Sequence, residues 1–420
     1  MEAYAQVLTY AIPGFIVLII LESVVAKWMN LSVNKPMDTI SSLSSGMTNT
    51  LKSLLGLSII IVSYEFMVSK LALFDIQHTL WLYFFAFIGH DFAGYWSHRF
   101  NHRINIMWNR HIIHHSSEEF NLSCALRQTI SSFVSVYFFL YIPLALIGVP
   151  TEVVAITSPI HLFAQFWYHT RVIDKMGFLE HIIVTPSHHR VHHAINDIYV
   201  DKNFSEIFII WDKWFGTFQQ ELEEETPVYG TLKQANTWNP ILINFMHFWQ
   251  LTKDAWRTKK IKDKFRIWFM PTGWRPSDVA SKFPVTIVEN VHTRNKYDTP
   301  SSGPMLAFSW FQLVFHNLLI YHLLSNVADL SFNLIVVYVL FLFVSIFAYT
   351  SLMDKHKIAV PSEILKTIIG FVIIGQLGGW FGLEDITSFA TVGMVVYIVT
   401  SLLLTLYFSS SEKQQLQLDL

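Results

Sequence analysis

The histidines of this 420-residue chain are concentrated in one stretch, where they repeat at helical spacing. Thirteen of the nineteen lie between His90 and His193, and eight form three clusters: His98 and His102; His111, His114 and His115; His189, His192 and His193. Residues three and four apart share one face of a helix, so each cluster presents two or three imidazoles in one direction. We therefore expect a fold that brings the three faces together around metal.

The number of clustered imidazoles predicts two metal ions rather than one. Zinc is satisfied by about four ligands and often takes thiolates, whereas this chain has a single cysteine, Cys124. An imidazole-rich set of this size favours a pair of iron ions. The soluble carboxylate-bridged di-iron bundles use Glu and Glu-x-x-His instead, and that signature is missing from the sequence.

Long apolar segments surround the clusters and predict an integral membrane protein. The chain is 52% hydrophobic and 14% charged, which is too apolar for a soluble protein of this size, and its net charge of −2 indicates no nucleic-acid partner. A membrane span needs about 20 mostly apolar residues. Nine segments qualify, which predicts an all-α, multi-pass fold: 5–26, 43–69, 78–97, 129–149, 151–170, 305–325, 331–350, 359–380 and 389–408.

The distribution of basic residues predicts how these spans are oriented. Pro150 separates the fourth span from the fifth, so the two are expected to form a hairpin that leaves residues 98–128 and 171–304 on one side. Those two stretches hold 21 of the 29 Lys and Arg residues. The positive-inside rule then makes them a cytosolic, histidine-rich helical cap, on the cytoplasmic membrane of a bacterium or the endoplasmic reticulum of a eukaryote. The predicted divisions are N-terminal spans (1–77), a catalytic domain (78–218), a cap extension (219–304) and C-terminal spans (305–420).

Two predicted spans carry further polar residues that point towards the clusters. His161, Gln165 and His169 share one face of the fifth span, and His169, nearer its cytosolic end, is the better candidate for a ninth ligand; the role of His161 stays open. Asp91 lies two turns before His98 on the third span, where its carboxylate can orient a ligating imidazole. The alternative role for Asp91 is helix packing, although a charge at that depth is costly.

At this point the sequence resembles a known superfamily. The order HxxxH, HxxHH, HxxHH on a multi-span chain is typical of the fatty acid hydroxylase and sterol desaturase superfamily, and the flanking stretches are most similar to its glyceryl-ether monooxygenase branch. The resemblance is strong over 80–218, and one position, Arg103, departs from the acidic residue expected in the animal members. The stretches that carry it are Asn105-Ile-Met-Trp108, His114-His-Ser-Ser-Glu118, Asn121-Leu-Ser, Ala125-Leu-Arg-Gln128, Gln165-Phe-Trp-Tyr-His-Thr170, Thr185-Pro-Ser-His-His-Arg-Val-His-His193, Asp201-Lys-Asn203 and Trp211-Asp-Lys-Trp-Phe-Gly-Thr-Phe218.

The resemblance implies a membrane di-iron monooxygenase that inserts one oxygen atom of O2 into a C–H bond of a lipid. In the ether-cleaving branch that bond is on the alkyl carbon next to the ether oxygen of an alkylglycerol, and the product releases a fatty aldehyde. Tetrahydrobiopterin is the electron donor that the branch implies; the chain shows no haem or flavin domain, so its electrons are expected from an external donor. Glu118, Arg127 and Gln128 are candidates for holding a polar head group or the pterin, or alternatively for hydrogen bonds that stabilise the cap.

Two other functions remain open at this point. Within the superfamily, the chain is alternatively a hydroxylase or desaturase of sterols, fatty acids or carotenoids. Outside it, a metal transporter would also use clustered histidines. A transporter, however, is expected to place its ligands near the bilayer midplane on repeated, broken helices, whereas these clusters lie outside the predicted spans and no internal repeat is present.

Overall fold

The computed structural model describes the backbone of residues 2–418 and the side-chain environments of residues 5–412. This part of the chain is mostly helical, with one two-stranded parallel pairing of β1 (Ile59–Ile60) and β2 (Val134–Ser135). Four 3-10 helices lie at Cys124–Leu126, Tyr137–Tyr141, Gly177–His181 and Leu383–Asp385. The α-helices are α1 (Glu2–Trp28), α2 (Pro36–Leu54), α3 (Tyr64–Leu71), α4 (Leu80–Arg103), α5 (Asn105–Trp108), α6 (Ile112–His115), α7 (Ile142–Ile147), α8 (Thr151–Phe163), α9 (Pro186–His193), α10 (Ile210–Trp214), α11 (Pro240–Arg257), α12 (Ile261–Arg266), α13 (Ser277–Ala280), α14 (Gly303–Ser325), α15 (Phe332–Met353), α16 (Ala359–Leu377) and α17 (Ala390–Leu418).

Five helices are long and apolar enough to cross a membrane. They are α1, α14, α15, α16 and α17, and they correspond to the predicted spans at 5–26, 305–325, 331–350, 359–380 and 389–408. The predicted span at 78–97 forms a single helix, α4, of 24 residues. Its polar residues, His90 and Asp91 among them, leave α4 outside that set of five. The expectation of nine spanning helices is therefore not met in the described residues.

The other three predicted spans are broken in the structure. Segment 43–69 is divided between α2, β1 and α3, because α2 stops before Gly56, whose φ is +63°. Segment 129–149 is a loop with β2, a 3-10 helix and the six-residue α7. Segment 151–170 forms only the 13-residue α8, which is about 20 Å long, against a hydrocarbon core of about 30 Å. Both arms of the expected Pro150 hairpin are thus too short to cross a bilayer.

The reason for the error at 43–69 is visible in α2. The inner face of this helix carries serine and threonine hydroxyls that are buried against protein rather than lipid. Ser41 Oγ donates to the carbonyl of Trp238, and Ser45 Oγ donates to that of Gln128. Through Leu51, the helix packs into a protein core that also contains Tyr338 of α15. Mean hydropathy cannot separate such a buried helix from one that faces lipid.

The ends of the candidate spans meet on one side of the molecule. Lys35, which follows α1, pairs with Asp298 just before α14, at 3.1 Å. Glu412 on α17 pairs with Lys355, which follows α15, at 3.0 Å and accepts from the backbone N–H of Ser302 at 3.2 Å. Asn239, the N-cap of α11, donates to the carbonyl of Phe347 near the end of α15. These contacts place the segments 237–240 and 294–302 at the level where the spans end.

Candidate metal centre

Nine histidine side chains from four parts of the chain converge. His98 and His102 lie one turn apart at the end of α4, and the short turn containing α6 supplies the second cluster. The third cluster lies on α9, which starts at Pro186 behind a capping box formed by Thr185 and His188. His169 comes from the turn after α8, since that helix ends at Phe163 and the chain then folds back.

The nine imidazoles separate into two groups of possible ligand atoms, within each of which the atoms lie no more than 4.8 Å apart. We call them the five-histidine group and the four-histidine group. Neighbours in sequence are divided between them, since the side chains of consecutive helical residues point about 100° apart. The five-histidine group is His98, His102, His111, His115 and His192, and the four-histidine group is His114, His169, His189 and His193.

Within each group, ring nitrogens face one another at short distances. Nε2 of His98 lies 2.9 Å from Nε2 of His111, and Nε2 of His192 lies 3.1 Å from Nε2 of His115. In the four-histidine group, Nε2 of His189 lies 2.8 Å from that of His169 and 3.0 Å from that of His193. Two nitrogens bound at about 2.1 Å to one ion are themselves about 3.0–3.4 Å apart. The observed distances lie at or slightly below that range, so each pair is close enough to share one ion.

The opposite ring nitrogens show which atom is available as a ligand. Nδ1–H of His98 donates to the carbonyl of Phe204 at 2.8 Å, and Nδ1–H of His192 donates to that of Lys202 at 2.9 Å. His169 Nδ1–H donates to the carbonyl of Gln165, also at 2.9 Å. A neutral imidazole with its proton on Nδ1 has a lone pair on Nε2. The facing Nε2 atoms therefore present lone pairs to one another, an arrangement that a cation between them stabilises.

Burial keeps these imidazoles neutral. It lowers the pKa of His98 to about 3, and burial together with neighbouring imidazoles lowers the pKa of His111 and His192 well below the usual value. The carboxylate of Asp201 approaches one ring: its Oδ1 lies 3.7 Å from Nδ1 of His102, and its Oδ2 pairs with Arg103 at 3.3 Å. Neutral imidazoles are the form in which histidine binds metal, so this donor set suits imidazole-preferring ions such as iron.

A separate set of three ionisable side chains, Asp91, His161 and Glu206, lies beside the five-histidine and four-histidine groups. Asp91 is fully buried, and its oxygens accept from His161 Nε2 at 2.7 Å, from Trp211 Nε1 at 2.8 Å and from the backbone N–H groups of residues 207 and 208. Four donors occupy the carboxylate, so this cluster is organised as a hydrogen-bonded clamp rather than as a set of open ligands. Burial raises the pKa of Glu206 to about 7.

A large cavity connects the centre with the candidate spans. Its volume is about 1030 Å³. Apolar side chains of α1, α2, α8 and α14 line most of it, Leu8, Ile12 and Leu313 among them. Its other wall includes rings from both groups, His98 and His114 for example. The cavity can therefore hold a long apolar molecule with one end beside the imidazoles.

The remaining predicted site residues occupy different positions. Asp91 contacts His161 rather than one of the nine grouped imidazoles. Glu118 accepts from Arg294 Nη1 and Gln234 Nε2, both at 3.0 Å, and from the backbone N–H of Tyr297, and so connects the turn after α6 to segment 294–297. Arg127 and Gln128 both line the cavity. The buried guanidinium of Arg127 is itself held by Asp38 at 2.9 Å and by Ser116 at 2.7 Å.

Two features of the site had not been predicted from the sequence. Glu206 lines the cavity, and the only signal in the sequence was its closeness to the stretch Asp201-Lys-Asn203. The contribution of α1, α2 and α14 to the cavity wall had no sequence signal, because these helices are far from the clusters along the chain. Arg103, the position that departs from the resemblance, pairs with Asp201, whose other carboxylate oxygen lies 3.7 Å from Nδ1 of His102.

Comparison with known proteins places the sequence in a family. The sequence model of the fatty acid hydroxylase family matches residues 83–217. The alkylglycerol monooxygenase of Homo sapiens is 36% identical over 373 residues, which cover 88% of this chain and 82% of the relative. That of Danio rerio is 33% identical, with the same two shares. An ornithine lipid hydroxylase of Rhizobium tropici is 30% identical over 30% of this chain and 39% of its own. No solved structure matches the chain at a significant level.

The apolar helices, the histidine-rich centre and these similarities define a membrane lipid monooxygenase, an oxygen-dependent oxidoreductase with a fatty acid hydroxylase domain. More narrowly, the chain belongs to the alkylglycerol monooxygenase family. The resemblance stated from the sequence, to the glyceryl-ether monooxygenases, is thereby confirmed.

Proposed function

We propose that this enzyme hydroxylates the alkyl carbon next to the ether oxygen of an alkylglycerol, and that the resulting hemiacetal breaks down to a fatty aldehyde and a glycerol derivative. The observation that carries the proposal is the cavity, which joins an apolar slot between α1, α2 and α14 to both imidazole groups. Its size is at the upper end of ordinary ligand sites, as expected for a long alkyl chain. The relatives of matching length are named for alkylglycerols.

We propose two iron ions, one in the five-histidine group and one in the four-histidine group. Iron so held supplies the activation of O2. The chain's own residues have three tasks: the carbonyls of residues 165, 202 and 204 orient the imidazoles, burial keeps the rings neutral, and the apolar cavity excludes water and holds the alkyl chain. Asp91 clamps the loop that positions Glu206 beside the cavity.

The electron donor that we propose is tetrahydrobiopterin, on the basis of the family resemblance. Gln128 is the candidate among the predicted residues with spare hydrogen-bonding capacity: its Nε2 donates to the carbonyl of Ala125 at 3.0 Å, and its side chain lines the cavity. Arg127 has its donors engaged by Asp38, Ser42 and Ser116. We therefore assign Arg127 to fixing the cavity wall and leave the head group or the pterin to Gln128.

The test is an aldehyde-release assay on anaerobically purified, iron-loaded enzyme. Alkylglycerol should be cleaved in the presence of O2 and tetrahydrobiopterin, and omission of either should stop the reaction. Parallel assays with a sterol and with a free fatty acid serve as substrate controls. Turnover of one of these, with alkylglycerol left intact by every reductant tried, would replace this proposal with the hydroxylase or desaturase alternative.

We also propose that the metal centre faces the cytoplasm, on the strength of the 21 basic residues in 98–128 and 171–304. Because the single cysteine, Cys124, is buried, engineered cysteines can be labelled selectively. A cysteine at Glu224 should react with an impermeant reagent only when the cytoplasmic side is open. Reaction in intact cells would reverse the orientation.

A further inference from the structure

An exposed face on α11 and α12 combines aromatic and basic side chains. On α11, Leu242, Trp249 and Trp256 are seven residues apart and lie on one side of the helix, and Trp256 is 85% exposed. Ile261 and Phe265 lie one turn apart on α12, and Phe269 follows in the next turn; Phe265 and Phe269 are 71% and 72% exposed. Large apolar side chains grouped on the outside of a protein mark a contact surface.

The charge on this face is strongly positive. Arg257, Lys259, Lys260, Lys262 and Arg266 are all exposed. The acidic residues of the same stretch are turned inward: Asp254 is buried against Arg275, and Asp263 is buried against Arg266. One further carboxylate, that of Asp278, lies beside the backbone of Lys259. Cations therefore exceed anions on the outer side of the two helices.

The position of α11 relative to the spans identifies what this face meets. The N-cap of α11, Asn239, donates to the Phe347 carbonyl and to Ser351 Oγ in the last two turns of α15. Asp354, directly after α15, accepts from the backbone N–H of Trp238 at 2.7 Å. Helix α11 thus begins where a candidate span ends, at the level of the lipid head groups.

The inner side of the same helices is attached to the metal centre. Nε2–H of His247 on α11 donates to the carbonyl of Asn105, and Asn109 Oδ1 accepts from the backbone N–H of Phe248. After α12, the carbonyls of Trp268 and Met270 accept from the backbone N–H groups of Ile106 and Asn105. Residues 104–109 connect His102 to His111, two members of the five-histidine group. Four hydrogen bonds therefore connect helix α11 and the turn after α12 to the segment that joins His102 to His111.

We infer that the α11–α12 face binds the surface of the bilayer, with its aromatic side chains at the acyl boundary and its lysines on anionic head groups, and that this contact sets the height of the metal centre above the membrane. Tryptophan and phenylalanine beside lysine and arginine are the composition of interfacial helices. Protein–protein interfaces, by contrast, are depleted in lysine, which argues against a second copy of the chain as the occupant. The inference does not depend on which lipid is oxidised.

Site-specific fluorescence on the full-length protein tests this. Single cysteines placed at Trp256 and Phe265 are labelled with an environment-sensitive dye, and Glu223, whose side chain is 93% exposed, provides the matched position away from the face. The protein is reconstituted in phosphatidylcholine bilayers with or without phosphatidylglycerol and with a quencher attached to the lipid acyl chains. We expect blue-shifted emission and lipid quenching at 256 and 265, increased by phosphatidylglycerol, and neither effect at 223.

Two results would overturn the inference. Quenching at 256 and 265 by aqueous iodide alone, as at 223, would show that the face is in water. A blue shift that depends on protein concentration in detergent, without lipid quenching, would assign the face to a second copy. A charge-reversed variant, K259E/K260E/K262E, separates the electrostatic part: it should keep the metal content of the wild type and lose the response to phosphatidylglycerol. An unchanged response would remove anionic lipid from the inference.

Discussion

At the scale of single residues, the centre depends on which nitrogen of each imidazole carries the proton. Backbone carbonyls at residues 165, 202 and 204 fix the proton on Nδ1 of three rings and leave Nε2 for metal. The two groups use different rings even where these are adjacent in sequence, as with His114 and His115. Each group should therefore lose its ion independently of the other.

We predict that His192→Ala and His114→Ala each abolish activity, and that His114→Ala, which leaves three histidines in its group, retains about one iron of two. His192→Ala leaves four histidines in its group and should retain more iron than His114→Ala. Metal analysis and the aldehyde assay on the same preparations measure both effects. His181→Ala provides the control, because His181 is exposed and lies outside both groups. Full activity in either ligand variant would contradict the assignment of that group.

The low imidazole pKa values predict how the centre responds to acid. In the metal-free protein, burial lowers the pKa of His98 to about 3, and His111 and His192 are also lowered well below the usual value. The imidazoles of the unfolded chain bind protons at about pH 6.5, so acidification below that value favours unfolding, whereas these rings add no pH dependence above it. Glu206, whose pKa is raised to about 7, has the opposite effect, but it is one group against several imidazoles. The melting temperature of metal-free protein should thus be level from about pH 8 to 7 and fall below about pH 6. A constant melting temperature down to pH 5 would contradict neutral, buried rings.

At the scale of elements, Asp91 joins α4 to the loop before α10. Its carboxylate accepts four hydrogen bonds, from His161, Trp211 and the backbone of residues 207 and 208. The same loop carries Phe204, whose carbonyl orients His98. Helix α4 therefore supplies two candidate ligands at its end and, in its middle, the anchor for the loop that orients one of them.

We predict that Asp91→Asn destabilises the protein by about 1.5–3 kcal/mol, because the carboxamide has one oxygen and turns an NH2 group towards two of the four donors. Activity should fall, while iron content after loading stays near that of the wild type. Thermal unfolding in detergent measures the stability, and Asp75→Asn, at an exposed position, is the control. Loss of one iron in Asp91→Asn would instead make Asp91 a ligand.

At the scale of the whole molecule, the cavity extends along α1 away from the centre. Ile19 packs with Leu122 and Phe166 near the imidazole-bearing turns. Ile12 and Leu8 line the cavity closer to the N-terminus of α1, seven and eleven residues before Ile19. Seven residues of helix correspond to about 10 Å. The end of an alkyl chain that starts at the centre is thus expected near Ile12.

We predict that Ile12→Trp shifts the preference of the enzyme towards alkylglycerols with shorter alkyl chains, because the indole fills the far end of the cavity. Activity on the shortest substrates should remain near that of the wild type. Leu18→Trp, on the same helix but exposed and outside the cavity lining, is the matched control. Competition assays over a series of chain lengths measure the shift, and an unchanged profile in Ile12→Trp would place the alkyl chain elsewhere.

Of the nine spans predicted from hydropathy, five correspond to helices of the described residues that are long and apolar enough to cross a membrane, and four do not. Segments 43–69, 129–149 and 151–170 form helices that are too short or too broken to cross a bilayer. Part of this sequence packs inside the protein, as Ser45 does by donating to the carbonyl of Gln128, whereas apolar side chains, Ile59 and Ile160 among them, are exposed. Composition records only that a segment avoids water. Whether it meets lipid or protein depends on neighbours that are distant in sequence.

Helical spacing, a local property of the sequence, predicted eight of the nine imidazoles, and the face of a predicted span added His169; the structure brings all nine together. Packing between distant parts of the chain sets their division into five and four, which separates His192 from His193. It also sets the place of Glu206 beside the cavity and the use of α1 and α14 as its wall. The physical reason is that a ligand set is encoded within a turn or two of helix, whereas a cavity is the space left between helices that pack together from distant parts of the chain.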